Sequence, residues 1–148
     1  MSVFFDTHCH LPDEATGEDA VKIISEAQSA GVTRMLFAGT SMEDCPENLA
    51  FAAANPGVVY TSVGIHPEAY RTFTDDSPAL LRQWLKAPGV VAVGEIGLDS
   101  HYEDSDPMMQ EKVFRICLEL AVESGLPVVI HCREAFERCF PIVREMLS

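Results

Sequence analysis

The sequence predicts an α/β protein with a parallel sheet, assembled from about five βα units. Short apolar runs alternate with longer amphipathic stretches along all 148 residues. The alternation returns at roughly thirty-residue intervals, the spacing of βαβ units. No linker, low-complexity stretch or internal repeat interrupts it, so a single domain is expected over residues 1–148.

Residues 3–5 read as the first strand, ending at a pair of histidines. Residues 18–30 follow as a helix with Ala20, Ile23, Ile24 and Ala27 on one face and Gly31 as its stop. Residues 35–38 are the second apolar run, after which Gly39-Thr40-Ser41 lead into a helix through Leu49, Ala52 and Ala53. Residues 58–64 make a third strand, followed by the loop IHPEAYRTFTDDSP and a helix around residues 80–86. Residues 90–95 are the fourth strand. Its helix has the clearest periodicity in the chain, with Val113, Ile116, Cys117, Leu120 and Ala121 at i, i+3, i+4, i+7 and i+8. Residues 127–131 form the fifth strand. Residues 135–147 carry Phe136, Phe140, Val143 and Leu147 on one helical face, and Pro141 is expected to kink or split that helix.

Two architectures fit this pattern. A closed (β/α)₈ barrel needs eight units, typically about 250 residues, so five would make an incomplete one. An open doubly wound sheet would be complete at this length.

Composition narrows the class. Hydrophobic residues make up 47% and charged residues 22%, ordinary for a globular protein. No apolar run approaches a transmembrane length, and no basic segment followed by an apolar one opens the chain, so neither a membrane span nor a secretory leader is expected. The five cysteines, Cys9, Cys45, Cys117, Cys132 and Cys139, form no CxxC pair. They read as reduced thiols and favour a cytoplasmic location. A formal net charge of −13 argues against tight, nonspecific nucleic-acid binding through phosphate neutralisation.

The polar residues share one address. His8 and His10 follow the first strand, His66 the third, Glu95 ends the fourth and His131 ends the fifth. Sites of parallel α/β proteins form at the carboxyl ends of the strands. Residues i and i+2 of an extended chain point the same way, so His8 and His10 can bind one ion together. Asp6 shares their parity and could orient a ligand histidine from behind. Cys9 and Cys132 have the opposite parity and should not be ligands. Glu95, closing a valine-rich strand, needs a cation, and its two oxygens can bridge two ions. Its alternative partner is Arg133. Gly94 and Gly97 leave room for close backbone approach around it.

His131 should emerge at the strand mouth, with Arg133 at the same parity, suited to an anionic substrate group or to a surface ion pair. His66, in a turn set by Pro67, could contact substrate or a metal-bound species, or cap the turn. Asp99 serves the same site or caps the following loop. His101 looks solvated, and Glu103, Asp104 and Asp106 read as a loop leading to a helix N-terminus.

The stretches FDTHCHL, VGIHPE, VGEIGLD, QEKVFRICLELA and LPVVIHCREA, in this order, resemble the TatD family of metal-dependent hydrolases, amidohydrolase-like (β/α)₈ barrels. The resemblance spans essentially the whole chain. It implies a partial barrel, truncated after the fifth βα unit. It also implies two divalent ions (Zn²⁺, or Mg²⁺ or Mn²⁺), with His8 and His10 on one, His131 on the second and Glu95 as the catalytic bridge. His66 and Arg133 would lie at the substrate phosphate, and Asp6 and Asp99 behind the ligands. The implied activity is deoxyribonuclease or exonuclease hydrolysis of DNA or a smaller phosphodiester by a metal-activated water.

The family site also uses a histidine after the sixth strand and an aspartate after the eighth, which this chain lacks, and Cys117 stands where the family often has glutamine. Alternatives are a truncated paralogue that binds metal or a partner without turnover, and another amidohydrolase or PHP-type phosphoesterase. Unpaired first and fifth strands would favour self-association or a covering partner.

Overall fold

The computed structural model describes residues 3–11 and 17–147. Five strands, β1 (Phe4–Cys9), β2 (Val32–Phe37), β3 (Val59–Val63), β4 (Val90–Asp99) and β5 (Val128–Arg133), form one sheet. Every strand pairs in parallel with its neighbour in sequence, in the order β1-β2-β3-β4-β5. Between the strands lie α1 (Gly17–Ser29), α2 (Cys45–Ala54), α3 (Ser77–Trp84) and α4 (Pro107–Ser124), with α5 (Phe136–Met146) last.

The strand order decides between the two architectures. A doubly wound sheet reverses its winding at a switch point, which puts strands distant in sequence side by side. Here the order never reverses, so the chain winds steadily in one direction. It forms five consecutive units of a (β/α)₈ barrel, with β1 and β5 as the outer strands.

The main core lies between β3, β4 and α4. Val63, Val93, Ile96 and Leu98 meet Val113, Phe114, Cys117, Leu118 and Ala121, all fully buried. Helix α4 is sharply bounded. Asp106 accepts hydrogen bonds from the Met108 and Met109 N–H groups at 3.0 and 3.1 Å, and Gly125 ends the helix at φ 68°. A smaller cluster of Ile24, Met35, Phe37, Ala52 and Val59 sits beneath α1 and α2.

Two sequence expectations need correction. The fourth strand does not end at Glu95 but continues to Asp99, because β5 pairs with it as far as Asp99↔Arg133. Glycines 94 and 97 are accommodated inside the strand, with a register shift between Val93 and Ile96. Pro141 does not split α5. It lies on an exposed position, as does Glu137 one turn earlier, so the carbonyl deprived of its partner sits on a solvated side. Helix α5 buries Cys139 and Ile142, while Phe136 and Phe140 stand exposed with their rings stacked 5.5 Å apart. The loop after β3 also contains a 3₁₀ turn, Pro67–Thr72, that periodicity does not reveal because it is too short.

Candidate functional site

The side chains at the strand ends converge on Glu95, which is 8% exposed. His8 Nε2 lies 3.1 Å and His10 Nε2 3.5 Å from its Oε2, and the two imidazole nitrogens are 3.0 Å apart. On the other side, His131 Nδ1 is 3.3 Å and His66 Nε2 4.0 Å from Oε1. One carboxylate thus faces two histidine pairs, one oxygen to each. Burial opposes its charge, yet the hydrogen bond from His10 and the fields of His66, His8 and His131 prevail and hold its pKa to about 2. Arg133 makes no ion pair with Glu95 among the described residues.

Each ligand candidate is positioned by its own strand. His8 and His10 share one side of the chain through the two-residue period of β1 and its continuation. Cys9, between them, faces the other way, donating to the Leu36 carbonyl at 3.3 Å and packing against the smaller cluster. Burial, then the nearby Asp6 charge, pushes its thiol up to about 12, so it is an inert thiol. Asp6 accepts from the His8 backbone N–H at 3.1 Å and so acts on the main chain. Glu95 is held from the main chain too, its N–H donating to the Gly39 carbonyl.

Hydrogen bonds assign the tautomers. His131 Nε2 lies 2.8 Å from Asp99 Oδ2, a carboxylate that can only accept at neutral pH. Nε2 is therefore the nitrogen that donates to Asp99, and Nδ1, 3.3 Å from Glu95 Oε1, is the one a cation could take. A carboxylate behind a histidine that presents its free nitrogen is the arrangement that metal ligands adopt. Asp99 is 2% exposed. Burial works against its charge, but the His101 N–H at 2.8 Å and His131 outweigh it and lower its pKa.

His66 has the opposite tautomer. Its Nδ1 accepts from the Glu68 N–H at 3.2 Å, capping the 3₁₀ turn, so a neutral ring carries its proton on Nε2. Burial, reinforced by His131, depresses its pKa to about 4 and keeps the ring neutral at pH 7. It is a donor pointed into the site, suited to an anionic oxygen.

The donor atoms fall into two groups within 4.8 Å: His8, His10 and Glu95; and His66, Glu95 and His131. The first offers two imidazole nitrogens and a carboxylate oxygen, the chemistry of a divalent-ion site. In the second, a free imidazole nitrogen and a carboxylate oxygen face each other at 3.3 Å with His66 beside them. Both groups fit a cation.

Arg133 is exposed, its guanidinium 5.5 Å from the centre of the Tyr102 ring. His101 pairs with Glu134 at 2.9 Å on the surface.

A family model described as TatD related DNase matches residues 5–147. The chain belongs to that family. Among TatD relatives, it is 38% identical over 144 residues to the "3'-5' ssDNA/RNA exonuclease TatD" of Musicola paradisiaca, covering 97% of this chain and 54% of that protein. It is 40% identical over 144 residues to the protein of the same description from Cronobacter sakazakii, with the same coverage. The solved structure of YJJV, a TatD homolog from Escherichia coli, superposes with a TM-score of 0.88 at 32% identity over 97% of this chain and 56% of that one. This TatD chain spans about half the length of the curated relatives it matches.

Sequence reasoning missed one element that supports this cluster of side chains. Asp44 accepts from the Thr40 N–H (2.9 Å), the Ser41 N–H (2.7 Å) and the Thr40 hydroxyl (2.8 Å). The clamped loop in turn offers the Gly39 and Thr40 carbonyls to the Glu95 and His66 N–H groups. The signal was Ser41-x-x-Asp44 ahead of a helix, a capping-type pattern.

Proposed function

We propose that this TatD-family chain acts in divalent-metal-dependent hydrolysis of phosphodiesters, removing nucleotides from the 3′ end of single-stranded DNA or RNA. The observation that carries the reading is Glu95, one buried carboxylate with an oxygen directed to each of two histidine groups. The names of the relatives supply the polarity and the substrate.

His8 and His10 would hold one divalent ion, His131 a second, and Glu95 would bridge them. When bound, such ions polarise the phosphate and lower the pKa of water at the site. The chain's own residues do the rest. Asp99 keeps the His131 proton on Nε2, so that Nδ1 stays free as a ligand. His66 donates its Nε2 proton to a phosphate oxygen, and Arg133, steadied on Tyr102, offers a guanidinium to the same anion. Asp6 sets the His8 main chain. Hydrolysis breaks the bond between phosphorus and O3′ of the preceding nucleotide. Water supplies the new oxygen on phosphorus, and O3′ leaves as a hydroxyl.

The net charge of −13 disfavours a long duplex, and a strand end needs the fewest phosphate contacts. Among the described residues no helix is long and apolar enough to cross a membrane. The five free thiols support a cytoplasmic setting. The outer strands β1 and β5, with Val3, Phe4 and Phe5 exposed, support self-association or a covering partner for what we take to be one domain.

The test is cleavage of a 5′-labelled single-stranded oligonucleotide with Mg²⁺, Mn²⁺ or Zn²⁺ added in turn. Expected is stepwise shortening from the 3′ end that stops in EDTA and falls about 100-fold or more in Glu95→Gln. Cleavage that survives EDTA would remove the metal mechanism.

A further inference from the structure

The cleft that contains the metal candidates has a second wall with no task in the chemistry above. A cleft of about 610 Å³ is lined by His10, His66 and Glu95, and also by Asp44, Glu47, Asn48 and Glu68. Asn48, on α2, is 8% exposed. Among the described residues its carboxamide makes no hydrogen bond, and its polar atoms are not sealed from solvent but open to the cleft, where a ligand can reach them. It offers a donor and an acceptor together, the pairing that a nucleobase edge or a sugar hydroxyl can answer.

The charge on this wall is one-sided. Asp44, Glu47 and Glu68 are carboxylates, and no lysine or arginine lines the cleft among the described residues. Carboxylates accept hydrogen bonds from sugar hydroxyls and base amino groups but repel phosphate. A terminal phosphate monoester brings a charge of about −1.5 to −2 at pH 7. The volume lies in the range of pockets that enclose one small organic molecule, roughly 300–1,000 Å³.

We propose that this cleft receives the last nucleoside of the strand with its end hydroxyl free, and turns away a strand whose end carries a phosphate. The assignment rests on the nuclease reading given above. Asn48 meets the base or sugar of that nucleoside. Glu47 and Glu68 face its hydroxyl side, with Asp44, whose oxygens stay on Thr40 and Ser41, adding its charge to the wall, while its 5′-phosphate lies towards Glu95 and the histidines. The acidic wall is thus a check on the chemistry of the strand end rather than an obstacle to nucleic acid in general.

Calorimetric binding of two probes to the Zn²⁺-loaded chain tests this without turnover: thymidine 5′-monophosphate and thymidine 3′,5′-bisphosphate. The bisphosphate is expected to bind roughly tenfold more weakly or worse, from like-charge repulsion across the wall. The double variant Glu47→Gln, Glu68→Gln, both exposed positions that leave the core untouched, should bring the two affinities within about twofold. Asn48→Leu should weaken both probes about tenfold. Equal or tighter binding of the bisphosphate, or binding of neither probe, would overturn the assignment. A chain that degrades oligonucleotides but fails this comparison loses the end-group check alone. A chain that passes it but cleaves nothing loses the nuclease reading alone.

Discussion

Asp99 and His131 meet at 2.8 Å, Oδ2 to Nε2, and this contact determines which nitrogen of the imidazole faces Glu95. An asparagine at position 99 can turn its amide N–H₂ to that nitrogen and force the proton onto Nδ1. Asp99→Asn is therefore expected to cut metal affinity about 10- to 100-fold, read by competition with a chromophoric chelator. An unchanged affinity would mean that His131 is not a ligand.

Metal binding should release a proton. The hydrogen bond that His10 donates to Glu95 outweighs burial and raises the pKa of His10, so an ion taking that nitrogen must displace the imidazole proton. Calorimetry with Zn²⁺ at a series of pH values, in buffers of differing ionisation enthalpy, is expected to show net proton release on binding at the His8–His10 group. The release should fall as the pH rises and vanish in His10→Asn.

Acid should destabilise the ion-free chain through His66. Its folded pKa, depressed by burial and by His131 to about 4, lies below the ordinary histidine value of 6.5. The unfolded chain therefore takes up a proton first, and stability falls as the pH drops from 6.5 towards 4, levelling below that. The contribution is at most roughly 3 kcal/mol. Urea midpoints measured across this window in EDTA should slope less in His66→Asn than in the parent chain.

Gly97→Ala should cost several kcal/mol. A Cβ at this position, at φ 150°, would overlap the carbonyl oxygen of its register partner His131, which is main chain and cannot rotate aside. Unfolding by urea is expected to show a loss of about 3 kcal/mol or more, with metal binding impaired through the displaced His131.

Much of this site was legible because strand parity is a strict rule. It groups His8 with His10 and turns Cys9 away, as the structure has it. The placement of His66, Glu95 and His131 at neighbouring strands followed from the alternation of elements. The choice between barrel and open sheet did not, since it depends on pairing order, to which local periodicity is blind. Glu95 was read as a strand end because Gly94 and Gly97 break the apolar pattern; pairing with β5 carries the strand through them. That Phe136 and Phe140 share a face of α5 was legible, and their rings stack; that α5 buries Cys139 and Ile142 instead was not, since periodicity cannot say which stripe meets the core. The tautomers of His66 and His131 lay beyond sequence altogether, since each depends on one hydrogen bond made in the folded chain.

Strand β1 and the residue just after it supply two of the ligand candidates, His8 and His10, yet residues 4–8 are all exposed and, among the described residues, β2 is the strand's only neighbour in the sheet. An ion gripped by His8, His10 and Glu95 would tie this outermost strand directly to β4, reaching past β2 and β3. The site would then act as a crossbrace as well as a reaction centre. Without the ion, β1 is expected to fray before the inner strands β2, β3 and β4, its amides exchanging with solvent ahead of theirs.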